Sequence, residues 1–274
     1  MKFKVKPFDK KLFKNYLEVL SVVSLLSSFA LIVITIPDCL KIYVGTALVL
    51  MLVIIYIIMW ISANNQDKTK LSINNSTIII KTGDIFEEDG LKVIAFNEYF
   101  DTQVDNIIIS ENSLNGKYIK SKISDIAEFD NLINEDAHLN EKILETNNTR
   151  HKGKKKRYSL GTVFQHKDYV LTAFSKFDNE NRAYLYMNDY ISFLISFWNE
   201  IDIIYAGRSI SIPLLGSGIT RFKGFDSVTE QELLELLIWS FKVSKIKFTY
   251  PSKVSIVIHE SKKDKINFYN LKKN

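Results

Sequence analysis

Two short stretches carry residue types whose spacing suits a phosphorylated ligand. Gly83-Asp84-Ile85 follows an apolar run of strand character and sets a carboxylate where open α/β sheets meet their ligands. Gly216-Ser217-Gly218 follows a second apolar run, 210–215, and leads into Ile219, Thr220, Arg221 and Phe222. A Gly-x-Gly turn lets successive backbone N–H groups converge on an anion, and a helix start nearby adds favourable potential, so a phosphate or diphosphate suits it. Each stretch also has an ordinary reading. Glycine serves plain strand-to-helix turns, and an aspartate after a strand commonly closes a turn or caps a helix.

Other chemistries find little support. Cys39 is the sole cysteine, which excludes an intrachain disulfide and a cysteine-rich metal cluster. His138, His151, His166 and His259 lack the close spacing of a zinc site, so no metal and no cofactor is expected. The net charge of +5 is modest and partly confined to local runs, which argues against nucleic acid as a partner.

The elements that must position these residues follow from the pattern. Residues 71–73 and 77–81 flank Asn74-Asn75-Ser76 as in a hairpin, and 91–96, 170–174, 210–215 and 254–259 read as further strands. Thr229 and Glu232 match a capping box, after which Leu233, Leu236, Leu237 and Phe241 recur at helical spacing. Strand, helix and strand in that order predict a right-handed βαβ unit and a partly parallel sheet. A second helix is expected over 187–200, with Ile191, Leu194, Ile195 and Trp198 on one face.

The N-terminal region is of another kind. Residues 19–36 and 42–63 are uncharged, and each is long enough to cross about 30 Å of hydrocarbon as a helix. Pro37-Asp38-Cys39-Leu40-Lys41 separates them, with Pro37 expected to stop the first helix. Lys2, Lys4, Lys6, Lys10, Lys11 and Lys14 precede the pair and Lys68 and Lys70 follow it, which places both termini in the cytoplasm. A cleaved signal peptide is the rival reading, but the run is long and no small-residue cleavage pattern follows it. Ser21, Ser24 and Ser28 share a face of the first helix, suited to contact with the second helix or with another protomer. Residues 135–157, rich in Asn, Glu and Lys, read as a surface insertion or a long loop whose basic end is either solvated or touches anionic lipid.

Together, the two ligand-type segments resemble the macro domain, a fold that binds ADP-ribose. Gly83-Asp84-Ile85 looks like that family's G-D-I segment, whose aspartate recognises the adenine amino group, and 213–222 looks like its second phosphate-binding loop. The resemblance covers most of the chain from about Leu71 onward. Ala95-Phe96-Asn97 stands where the first ligand loop begins, but Glu98-Tyr99-Phe100-Asp101-Thr102 replaces the usual glycine-rich run, which counts against ADP-ribosyl hydrolase activity. A macro domain behind a two-helix membrane hairpin further resembles the membrane-anchored effectors of Thoeris anti-phage defence. There a TIR-domain partner makes an ADP-ribose-derived nucleotide that the macro domain senses. Residues 96–102 and Ser113-Leu114-Asn115-Gly116 also look like that branch.

The resemblance implies an α/β fold, a macro-like mixed sheet with flanking helices, preceded by a two-helix transmembrane hairpin. The expected division is 1–63 for the basic segment and hairpin and 64–274 for a cytosolic domain. The implied ligand-binding residues are Asp84, Ile85, Asn97, Phe100, Asp101, Thr102, Ser113, Leu114, Gly116, Gly216, Ser217, Gly218, Ile219, Thr220, Arg221 and Phe222. The implied function is a non-enzymatic sensor and effector, homo-oligomeric, acting on the lipid bilayer of the cell inner membrane or plasma membrane. An ADP-ribosyl hydrolase at the membrane and a tether for ADP-ribosylated proteins are the alternatives.

Overall fold

The computed structural model describes residues 3–271, so Lys2 lies outside it. In chain order the elements are α1 (Lys10–Val33), α2 (Asp38–Asn65), β1 (Lys68–Ile73), β2 (Ser76–Thr82), β3 (Leu91–Asn97), α3 (Leu114–Lys122), α4 (Ile126–Glu135) and α5 (Ala137–Glu141). There follow β4 (Ile143–Thr146), β5 (Lys156–Tyr158), β6 (Val163–His166), β7 (Tyr169–Phe177), β8 (Ala183–Leu185), α6 (Met187–Ile204), β9 (Ile210–Pro213), β10 (Arg221–Phe222), α7 (Glu230–Val243), β11 (Lys253–Ile258) and α8 (Phe268–Leu271). The described residues form two compact units, one over Lys70–Lys265 and one made of the segments up to Thr69 and from Ile266 on.

Among the described residues the larger unit is built on a mixed sheet of order β1-β2-β11-β9-β3-β7-β8-β10, with β6 beside β7. The central strands β2, β11, β9, β3 and β7 run parallel to one another, whereas β6 and β8 are antiparallel to β7. Asn74 and Asn75 join β1 to β2 with positive φ angles of 51° and 61°, the left-handed pair that a two-residue hairpin turn requires. The capping box is present at Thr229 and Glu232, and β9, α7 and β11 form the expected parallel βαβ unit. Strands β9 and β11 are covered on both faces, as buried parallel strands are, and so read as apolar runs rather than alternations. Helix α6 packs on α7 through the Trp198 and Phe241 rings, 5.0 Å apart, and Trp198 Nε1 donates to Ser240 Oγ at 2.9 Å. A second core gathers Phe96, Phe100, Tyr118, Phe129, Tyr158 and Phe164.

Residues 135–157 depart from the expected loop. They hold α5 and a two-stranded antiparallel sheet of β4 and β5, and they turn Arg150 and Lys154 inward. The physical reason lies elsewhere in the chain: buried Asp101 and half-buried Asp130 need cations, and this stretch supplies them.

In the smaller unit α1 starts well before the apolar run because Asp9 caps it, accepting from the backbone N–H of Lys11 and Leu12. Helix α1 ends at Val33, and Pro37 is the N-cap of α2 rather than the stop of α1. A proline costs nothing there, because the first amides of a helix have no intrahelical partner. Both helices are long and apolar enough to cross a membrane, and they contact each other. The Tyr16 and Tyr56 rings meet edge-on at 4.9 Å between them, while Ile42, Tyr43, Val49 and Leu50 are exposed. Ser21, Ser24 and Ser28 are exposed too, so they do not pack on α2. Ser21 and Ser28 donate back to the carbonyls of Leu17 and Ser24.

The base of the pair is closed by both chain-terminal segments. Asn64 Oδ1 accepts from the N–H of Lys4 and Val5, and Trp60 Nε1 donates to Val5 O at 2.9 Å. Lys11 Nζ donates to Tyr269 O, Asn15 Nδ2 donates to Tyr269 Oη at 2.8 Å, and Asn270 Nδ2 donates to Asp9 Oδ2.

Candidate functional site

The carboxyl ends of the five parallel strands open into one cavity of about 400 Å³, within the usual range for small-molecule sites. Moving across the sheet, β2 delivers Asp84, β11 delivers His259 and Ser261, β9 delivers the Gly216 turn, β3 delivers Asn97, and β7 delivers Ser175 and Phe177. Neighbouring strands lie about 4.8 Å apart, so roughly 14 Å separates the Asp84 end from the Asn97 end, with the glycine turn between them.

Each end is prepared by local chemistry. Asp84 caps the short 3-10 turn Ile85–Glu87, with Oδ1 accepting from Phe86 N at 2.9 Å, and its other carboxylate oxygen has no partner among the described residues. The Gly216 turn is braced from below. Ser217 Oγ and N both donate to Leu214 O, and Tyr190 Oη donates to Leu215 O. Gly216 has a φ of +87°, and a Cβ there would come within 2.9 Å of the Phe222 ring. A Cβ on Gly218 would meet nothing within 4 Å. Gly216 is therefore demanded by the fold, and Gly218 leaves the cavity wall bare.

Of the residues singled out in the sequence, Asp84, Ile85, Asn97, Ser113, Leu114, Gly216, Ser217, Gly218, Ile219 and Thr220 line this cavity. The other six do not. Phe100 is in the core against Tyr158, Thr102 donates to Asp130 Oδ1, and Gly116 lets α3 approach Ser110 O, which a Cβ would reach at 2.2 Å. Phe222 supports Gly216 from behind, and Arg221 lies on β10 beside Tyr184.

Asp101 is the centre of a buried ion pair. Its carboxylate, 1% exposed, takes two hydrogen bonds from Arg150, 3.1 and 2.6 Å, and a third from the backbone N–H of Lys154 at 2.7 Å. The Arg150 guanidinium lies 4.0 Å from the Tyr99 ring centre and donates to Asn181 Oδ1. Burial pushes the Lys154 ammonium below the usual lysine range, partly offset by Asp130 at 2.7 Å. Burial likewise raises the carboxyl of neighbouring Glu98, against the lowering effect of the Phe177 N–H. Removing one member of such a pair costs about 3–5 kcal/mol.

The sequence reading missed several lining residues, among them Lys117, Ser175, Phe177, His259, Ser261 and Lys262. Four of these follow the available signal, for they stand at or just beyond the carboxyl ends of β7 and β11.

A glycine turn between a carboxylate and an amide, along the carboxyl edge of a parallel sheet, defines an α/β domain with its cleft at the strand ends. Residues 78–259 match the family described as Thoeris protein ThsA, Macro domain. The chain is 49% identical over 238 residues to Thoeris protein ThsA of Bacillus amyloliquefaciens (strain Y2), covering 85% of this chain and 77% of the relative. It belongs to the Thoeris ThsA macro-domain family. Among solved structures, the Oceanobacillus iheyensis macrodomain with MES bound is 14% identical, with a TM-score of 0.44, covering 72% of this chain and 90% of that one. The same macrodomain with ADP gives 14% identity and a TM-score of 0.44, covering 73% and 92%.

Proposed function

We propose that the chain is a membrane-anchored sensor and effector of anti-phage defence, which binds an ADP-ribose-derived nucleotide signal and acts on the bilayer. One observation carries the binding half: the order of groups along the cavity matches the order of parts in ADP-ribose. Asp84 can accept from an adenine amino group, the 216–218 turn offers backbone amides to a diphosphate, and Asn97 faces the terminal ribose. The span of about 14 Å between the ends suits such a ligand extended across three strand spacings. Ligand residues are thus Asp84, Ile85, Asn97, Ser113, Leu114 and the 216–220 turn.

The membrane half rests on α1 and α2, whose apolar side chains have no protein cover over most of their length. Lipid supplies that cover, with both termini on the cytoplasmic side beside the lysine-rich flanks. Two helices cannot enclose a pore, so action on the membrane requires several copies, for which the exposed serine face offers close contact. The source of the signal is a TIR-domain protein. Binding without turnover is favoured because Asp101, the carboxylate that accepts from Asn97 Nδ2, is held by Arg150 instead of facing the ligand.

The test is liposomes carrying the full chain, loaded with a dye, with and without ADP-ribose-type nucleotide from infected cells. Leakage only with nucleotide supports the reading. Nucleotide hydrolysis without leakage turns it into the hydrolase alternative, and neither effect rejects it.

A further inference from the structure

The side-chain amide of Asn97 has one permissible orientation. Its Oδ1 accepts from the backbone N–H of Tyr99 at 3.0 Å and of Asp101 at 3.2 Å, while Nδ2 donates to Asp101 Oδ2 at 2.9 Å. Turned over, the amide would set its NH2 against two N–H donors and its oxygen against a carboxylate. Its oxygen is therefore fully engaged, and one amide hydrogen remains for whatever enters the cavity. Asn97 presents the site with a donor and no acceptor.

Asp101 enforces this polarity, and Arg150 holds Asp101. The two guanidinium hydrogen bonds fix both carboxylate oxygens, so the one facing Asn97 cannot rotate away. The Arg150 side chain is 7% exposed and its guanidinium is packed by Tyr99 and by Phe177, itself a wall of the cavity. We infer that Asp101 and Arg150 are positioning residues, which hold Asn97 as a donor to the terminal ribose and so set a preference for ADP-ribose over ADP. The inference rests on the ligand orientation proposed above, with adenine at Asp84.

Calorimetric titration of ADP-ribose and of ADP into the full chain in detergent micelles tests it. The wild type binds ADP-ribose about tenfold more tightly than ADP, the effect of one well-made hydrogen bond. Arg150→Met removes that difference and leaves ADP affinity as it was. The double variant Asp101→Asn/Arg150→Met removes both charges together, leaves no buried charge unpaired, and gives the same selective loss should the single variant not fold. Equal weakening of both nucleotides in the folded variants means that the pair only supports the fold, and overturns the inference. So does an unchanged preference for ADP-ribose. A wild-type chain that binds both nucleotides equally rejects this inference alone, whereas one that binds neither rejects the proposed function as well.

Discussion

Lys262, on the cavity wall, holds its ammonium 2.9 Å from Oε1 of Glu230, the first residue of α7. Lys265 reaches the same oxygen at 2.6 Å. Burial alone would raise the Glu230 carboxyl, but the hydrogen bonds from Lys265 and Lys262 outweigh it and hold the group down at about 2. A depressed carboxyl contributes stability above its unfolded value of 4.5 and loses it as pH falls towards about 2. Glu230→Gln should therefore lower the thermal midpoint at pH 6, and the gap from wild type should shrink between pH 4.5 and 2.5. A gap independent of pH would show that the two lysines do not act through the carboxylate charge.

The two glycines of the phosphate-type turn should separate binding from folding. Gly218→Val fills open space on the cavity side, so it should weaken ADP-ribose binding at least tenfold while leaving the thermal midpoint within a degree or so of wild type. Gly216→Ala meets both a positive φ and the Phe222 ring, and should cost about 1–3 kcal/mol of stability. Denaturation of both variants, read beside their nucleotide affinities, decides the matter. Equal stability of the two would contradict the geometry.

Asp84→Asn preserves the acceptor for Phe86 N yet replaces the other carboxylate oxygen with an NH2 group, which donates and does not accept. ADP-ribose affinity should fall by roughly 1.5–3 kcal/mol with the fold unchanged. Calorimetry that finds wild-type affinity would move adenine away from this end of the cavity.

Cys39 is exposed in the second residue of α2, at the tip of the apolar pair. An impermeant thiol reagent should label it from outside intact cells or spheroplasts. A cysteine put in place of exposed Lys155 should be labelled only after permeabilisation. The reverse pattern would invert the proposed topology.

Leucine in place of Ser21, Ser24 and Ser28 should suppress nucleotide-dependent leakage from liposomes, because bulk there prevents close approach of a second copy. Nucleotide affinity should be unaffected. Full leakage from the triple variant would place the contact between copies elsewhere.

What the sequence disclosed depended on distance along the chain. Asp84 and the 216–218 turn were legible because strand, glycine and carboxylate are consecutive, and the α7 cap because Thr229 and Glu232 are three residues apart. Arg150 was not legible, since its partner Asp101 is 49 residues away and a basic stretch ordinarily reads as solvated. Phe100, Thr102 and Gly116 were placed among the ligand residues by resemblance. Their burial depends on α3, α4 and β5 packing on β3, which no local pattern announces. The serine face was visible as a stripe, whereas its outward direction needed the second helix to be in place.

The tail that grips the helical pair gives the molecule a timetable. Asn15 and Tyr269, which meet through a single hydrogen bond, are 254 residues apart, and Ser76 waits on Phe248 across 172 residues. Contacts so far apart in the chain form late and slowly. At a ribosomal pace of about 5–20 residues per second, α1 and α2 emerge roughly ten to forty seconds before the residues that close their base. Throughout that interval the two apolar helices must find shelter without help from the rest of the protein, so a bilayer reached during synthesis would receive them before either the sheet or the clasp exists.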